Sequence, residues 1–258
     1  MRRALFMMAA LTACGGGGGE RVDDADGGGG PLPGEGLAGA LRSEAGQPLA
    51  STQILACMAT TCLFGMTQSD GRFTFAVDPP ASIALKTLEN LSASPRRGAA
   101  LCPIHLDGDT LEVGELYVPD LPAGAAIGPS TRDPQTLDAG DGLQVTLRRG
   151  DLMPNLGDVI TDLAARRVPS DRVCRFLTIP GEEVVAVYAL HPFAARSRSP
   201  MAVRLESSLP AGTSVSLRTV SEIDGHLSQP VAATADGGAI VTDPGAGIGE
   251  LTWLIVSR

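Results

Sequence analysis

Glycine and proline interrupt this chain so often that long regular elements have little room to form. Its 258 residues include 32 Gly and 19 Pro, about a fifth of the total, against roughly an eighth in ordinary globular proteins. Turn pairs fall between short apolar runs: Asp70-Gly71, Pro180-Gly181, Asp224-Gly225, Asp236-Gly237 and Pro244-Gly245. Between the turns the pattern has a period of two. Arg72-Phe73-Thr74-Phe75 and Leu143-Gln144-Val145-Thr146-Leu147 alternate polar with apolar residues, as strands with one buried face do. At 43% apolar residues the chain can build real cores, which excludes global disorder. The expectation is an all-β fold.

The N-terminus reads as an address. Arg2 and Arg3 precede an apolar stretch over residues 4–13, too short to cross about 30 Å of hydrocarbon as a helix. Leu11-Thr12-Ala13-Cys14 follows. This segment resembles the lipobox of bacterial lipoprotein precursors. The resemblance implies a signal peptide over residues 1–13, cleavage before Cys14, a diacylglyceryl thioether on Cys14 and acylation, palmitate included, of its new amino group. Acyl chains worth about 0.8 kcal/mol per buried methylene make a stable membrane anchor. Gly15, where Asp can favour inner-membrane retention, implies delivery to the outer membrane, so the expected location is the bacterial cell envelope. Residues 14–36 then comprise the lipidated Cys and a Gly-rich, disordered linker. Such a chain spans about 26 Å on average. Its Asp23, Asp24 and Asp26 lack the ligand spacing of a calcium loop and read as a solvated acidic tether.

Residues 37–120 read as a run of short strands, over 52–58, 62–67, 72–77, 82–88 and 111–118 after an opening strand at 36–41. The order Gly39-Ala40-Leu41, Glu44-Ala45-Gly46-Gln47-Pro48-Leu49, then Thr67 through Asp70-Gly71-Arg72-Phe73 to Phe75 resembles the carboxypeptidase regulatory-like family. That resemblance implies a transthyretin-like β-sandwich of seven strands. Its motifs are turn chemistry, and they imply no catalytic residue.

Residues 121–258 form a second β-rich segment, beginning after Leu121-Pro122-Ala123-Gly124. Strands are expected at 143–147, 173–179, 183–190, 201–206, 214–220, 238–242 and 251–256. One stretch differs. Leu156, Val159, Ile160, Leu163 and Ala164 recur at helical spacing, with Asn155 or Asp158 placed to cap the start and Arg166, Arg167 and Pro169 suited to the end. The spacing predicts one short helix over 155–168. The whole therefore reads as two β-sandwich-like domains in tandem, with one short helix in the second.

Charge and motif narrow the function. The net charge is −9, and all but one of the 20 basic residues are arginine, the exception being Lys86. A basic patch interleaved with aromatics is missing, which removes the electrostatic footprint of nucleic-acid binding. His105, His191 and His226 stand in no metallocarboxypeptidase or zinc pattern, and each reads as structural or exposed. The G-x-S-x-G elbow is absent, and with Ile83 three residues before the only lysine, S-x-x-K is excluded. Asp107-Gly108-Asp109 and the run from Asp138 to Gly142 read as polar turns rather than calcium loops. Trp253 reads as core. These readings give no catalytic residues, no metal and no cofactor.

With Cys14 given to lipid, Cys57, Cys62, Cys102 and Cys174 remain. An even set in an exported chain points to two disulfides from three possible pairings. A hairpin joining 52–58 to 62–67 sets Cys57 opposite Cys62, within bridging reach. Cys102 and Cys174 then pair by elimination. The expected function is a lipid-anchored envelope protein with a non-catalytic binding, adhesion or scaffolding role toward a protein or glycan partner. The alternatives are a hydrolase using acidic residues of the second segment, or a glycan-binding module.

Overall fold

The structure is a computed structural model that describes residues 36–108, 110–155 and 159–258. The expected signal peptide, Cys14 and the expected linker up to residue 35 lie outside the described residues, as do Asp109, Leu156 and Asp158. The fold is all-β. Among the described residues the only helical segments are two single 3-10 turns, Arg149–Asp151 and Ser170–Arg172.

Seven strands form the first lobe: β1 (Gly36–Ser43), β2 (Gln53–Met58), β3 (Thr61–Met66), β4 (Arg72–Phe75), β5 (Ala81–Thr87), β6 (Leu101–Leu106) and β7 (Thr110–Val118). They make a three-stranded sheet ordered β4-β1-β7 and a four-stranded sheet ordered β3-β2-β5-β6. Pairing is antiparallel except between β1 and β7, which run parallel. Both sheets feed one core: Leu37, Leu41, Phe73 and Phe75 from the first, Ile54, Ile83, Leu85 and Ile104 from the second. The alternation in β4 is realised as read, with Phe73 and Phe75 buried and Arg72 and Thr74 exposed. The turn before it needs Gly71, whose φ is +82°.

Twelve strands form the second lobe: β8 (Ala125–Ala126), β9 (Gln135–Gly140), β10 (Leu143–Leu147), β11 (Leu152–Met153), β12 (Asp162–Arg167), β13 (Val184–His191), β14 (Ala195–Glu206), β15 (Ser214–Thr219), β16 (Val231–Ala235), β17 (Ala239–Thr242), β18 (Ile248–Leu251) and β19 (Trp253–Ser257). Ten follow one path, β8-β12-β13-β19-β15-β16-β17-β14-β10-β9, while β11 and β18 pair with β14. The end of the path returns, with β9 lying beside β12, so the sheet rolls into a near-barrel. Inside it pack Leu143, Val145, Leu163, Tyr188, Leu190, Val203, Leu205, Leu217, Leu254 and Val256.

The expected helix over 155–168 is overturned: residues 162–167 are strand β12. Antiparallel pairing with β13, from Ala164 opposite His191 to Arg167 opposite Tyr188, takes up its backbone. The helical spacing also fails as a buried stripe, since Val159 is 81% exposed. The expected strand at 173–179 is likewise not formed. Leu177 N donates to Cys174 O at 2.9 Å, closing a turn, and Cys174, Leu177 and Ile179 join the first lobe's core as irregular chain.

The two lobes share that core. Alternate residues of β13 and β19 face opposite ways: Tyr188, Leu190, Leu254 and Val256 enter the barrel, and Val187, Ala189, Trp253 and Ile255 enter the first core. A strand buried on both faces reads as a continuous apolar run, which is what Trp253-Leu254-Ile255-Val256 shows. The Trp253 indole also donates to the Ala99 carbonyl at 2.9 Å. Residues 36–258 belong to one compact unit.

Candidate functional site

Three features of this body bear on function: an open sheet edge, a polar seam between the lobes, and surface clefts. The edge is β3. It pairs with β2 alone and ends the four-stranded sheet. Its residues, Thr61 to Met66, include no charge and no proline, the devices that normally discourage an edge from pairing. Phe64 is 69% and Met66 58% exposed. Cys57 and Cys62 stand directly opposite in the β2–β3 register, Cα atoms 4.0 Å apart, and are disulfide-bonded. The bond fixes the register of the strand that carries the apolar side chains.

The seam holds most of the buried ionic groups. His191, at the end of β13, places Nδ1 2.9 and 2.8 Å from the two carboxylate oxygens of Glu89. Its Nε2 lies 3.5 Å from Asp162 on β12. Asp162 accepts from Arg96 at 2.8 Å and from the Thr161 hydroxyl at 2.8 Å. Burial raises the Asp162 carboxyl, but those hydrogen bonds and the charges of His191 and Arg96 bring it below its ordinary value. Gly124 makes room for this carboxylate, since a Cβ there would meet Asp162. A second group joins Glu44 to Arg166, with Asp141 3.6 Å from the guanidinium. The Asp120 amide donates to Glu44 at 2.9 Å. Burial raises the Tyr117 hydroxyl strongly, and the Glu44 charge adds to it. A third group sets Lys86 against Glu222. Cys102 and Cys174 also join across this region, Cα atoms 5.5 Å apart, so both cysteine pairs match the sequence expectation.

One cleft lies at the mouth of the barrel. Asp138, Gln144, Arg167, Tyr188, Arg204 and Glu206 line a volume of about 710 Å³. Asp138 and Glu206 are exposed, and Arg204 is held 3.1 Å from Asp236. A smaller cleft, about 370 Å³, brings together Ser82, His105, Asp224 and His226. Here Ser82 Oγ lies 3.2 Å from His105 Nδ1, and His105 Nε2 lies 3.0 Å from Asp107. That line resembles a nucleophile–base–acid relay in connectivity, and an imidazole facing a hydroxyl can take its proton. His105 and Asp107 stand 62% and 78% exposed, and ion pairs so open to water gain little. His226 pairs with Asp224 at 3.2 Å, and it too is exposed.

Among the described residues, no group of three or more His, Cys, Asp or Glu is placed to hold a metal ion. No helix there is long and apolar enough to cross a membrane. The three histidines, read one by one as structural or exposed, divide accordingly: His191 is buried in the seam, and His105 and His226 are exposed. The seam partners went unread because they are far apart in sequence and form no local motif. No protein-family model and no curated protein matches the chain.

Proposed function

We propose that this chain is a lipid-anchored protein of the bacterial cell envelope that binds a partner protein and catalyses nothing. Lipid on Cys14 holds it at the outer membrane, and the edge of β3 receives an extended segment of the partner by strand addition. The observation that carries the reading is β3 itself. An uncharged edge with Phe64 and Met66 exposed offers backbone hydrogen bonds for affinity and apolar side chains for specificity. The lipobox at Leu11 to Cys14 supports the anchor. Two sheets of three and four strands over residues 36–118 support the likeness to the carboxypeptidase regulatory-like family, whose domain brings no catalysis of its own. A protein partner is favoured over a glycan because Trp253, Tyr117 and Tyr188 are buried, leaving no row of aromatic platforms among the described residues. The hydrolase alternative draws support from the barrel mouth, where Asp138 and Glu206 line one cleft.

A photoreactive phenylalanine analogue at position 64 or 66 of the full chain tests the reading in intact cells. The expected result is an adduct with one envelope protein from either position and none from the exposed Ala232. In the Cys14→Ser chain the protein moves to the soluble fraction and the adduct is lost. Labels at 64 and 66 that yield only the bare chain would overturn the partner, and a Cys14→Ser chain still held at the membrane would overturn the anchor.

A further inference from the structure

Lys86 is the only lysine in 258 residues, and it is buried. It stands on β5 of the first lobe. Its amine reaches across the seam to Glu222, in the loop between β15 and β16. Nζ donates to the Glu222 main-chain oxygen at 2.7 Å and also meets the carboxylate of the same residue. The two side chains are only 7% and 13% exposed. Glu250, on β18, is a third acid whose charge environment includes this pair. Its Oε1 is buried without a hydrogen-bond partner and faces the Arg196 guanidinium at 3.8 Å, and the carboxyl is near enough for the charges of Glu222 and Lys86 to act on it. The other seam cations, Arg96 and Arg166, carry guanidinium groups, which stay protonated and are not nucleophiles. Lys86 carries the only side-chain amine in the sequence.

We propose that Lys86 and Glu222 condense to an intramolecular amide that fastens β5 of the first lobe to the β15–β16 loop of the second. Proton transfer within the touching pair turns ammonium and carboxylate into amine and carboxylic acid, the forms that react. The Nζ lone pair attacks Cδ of Glu222, and a C–N bond forms. One Cδ–O bond then breaks, and its oxygen leaves with two hydrogens as water. One ammonium and one carboxylate become one secondary amide and one water, with no oxidant, activating group or cofactor consumed. Glu250 is the proton carrier, giving a proton to the departing oxygen and taking one from the nitrogen. Burial is the largest influence on the Glu250 carboxyl; Arg196 opposes it, the Glu222 charge reinforces it, and the net lies above the ordinary value. The fold supplies the rest by holding the two groups in contact, which replaces a bimolecular encounter, and the product removes two charges from a buried place.

A single lysine makes the test direct. The full chain is purified from cells, reduced, denatured, treated with an amine-reactive label and cleaved after arginine. The expected product is a branched species joining peptides 73–96 and 219–258, one water lighter than their sum, with Lys86 unlabelled. A separate, labelled peptide 73–96 would overturn the proposal. In the Glu250→Gln chain, whose shape is nearly unchanged, the bond should form on the order of 100-fold more slowly, leaving Lys86 open to the label. If that chain cross-links as fast as the natural one, the assignment to Glu250 fails.

Discussion

Glu182, just ahead of β13, takes both terminal nitrogens of Arg218 on β15, at 2.6 and 2.7 Å, and the Ser257 hydroxyl of β19 at 2.6 Å. The hydrogen bonds from Arg218 and then Ser257 hold its carboxyl at about 2, well below the ordinary 4.5. A carboxyl whose folded value is depressed stabilises the fold above its unfolded value and loses that contribution as pH falls through the folded one. Glu182→Gln should therefore lower the melting temperature at pH 7. The difference from the natural chain should shrink between pH 4.5 and about 2. A difference that stays constant across that interval, measured by melting at stepped pH, would show that the charge is not what the bidentate pair contributes. None of this was legible in the sequence, because Glu182, Arg218 and Ser257 belong to no motif and meet only when three strands align. The same holds for Glu89 with His191 and for Lys86 with Glu222. Cys57 and Cys62 were legible because a four-residue connection left them a single geometry.

At the scale of the element, strands with one wet face could be read directly. β4, β10 and the second half of β14 alternate as the sequence does. β12 misled because Leu163 and Ala164 are both buried, one toward the barrel and its neighbour away from it, so the strand gave no period of two. β16, with small residues on both sides of its alternation, Val231-Ala232-Ala233-Thr234-Ala235, carried too little hydrophobic contrast to register. The turn before β4 was legible, and its glycine can be tested. A Cβ on Gly71 would lie 2.6 Å from the Leu41 carbonyl oxygen, whereas Gly46, also at positive φ, has open space around it. Gly71→Ala should cost about 1–3 kcal/mol of unfolding free energy in urea, and Gly46→Ala only about 1 kcal/mol. Equal costs would mean that backbone conformation alone, and not the close approach to β1, selects glycine at 71.

For the whole molecule, the shared core predicts one cooperative transition. Trp253 sits at the seam and is the only tryptophan, so its fluorescence reports on the junction while far-UV circular dichroism reports on all strands. The two signals should fall together in denaturant, as two-state behaviour requires. Replacing Cys102 and Cys174 by alanine opens a loop closed across 72 residues. That should cost about 4 kcal/mol on the chain-entropy estimate while leaving the two signals coincident. Two resolved transitions in the natural chain would show that the lobes unfold as independent domains. The run of short strands through both lobes was visible from turn signals alone. The rolling of the second into a near-barrel was not, because it depends on β9 meeting β12 and on β14 serving four neighbours, relations that local pattern does not encode.

The position of β19 bears on how the protein is made. Trp253–Ser257 follows every other strand in chain order, yet it lies between β13 and β15 and contributes to both cores. Every other described strand is therefore made before the strand between β13 and β15, whose Trp253 and Ile255 also enter the first core. Until then β13 and β15 lack the neighbour that lies between them. The strand that both cores share is thus the last of the described strands to be made, and β13 and β15 gain their common neighbour only after all the others.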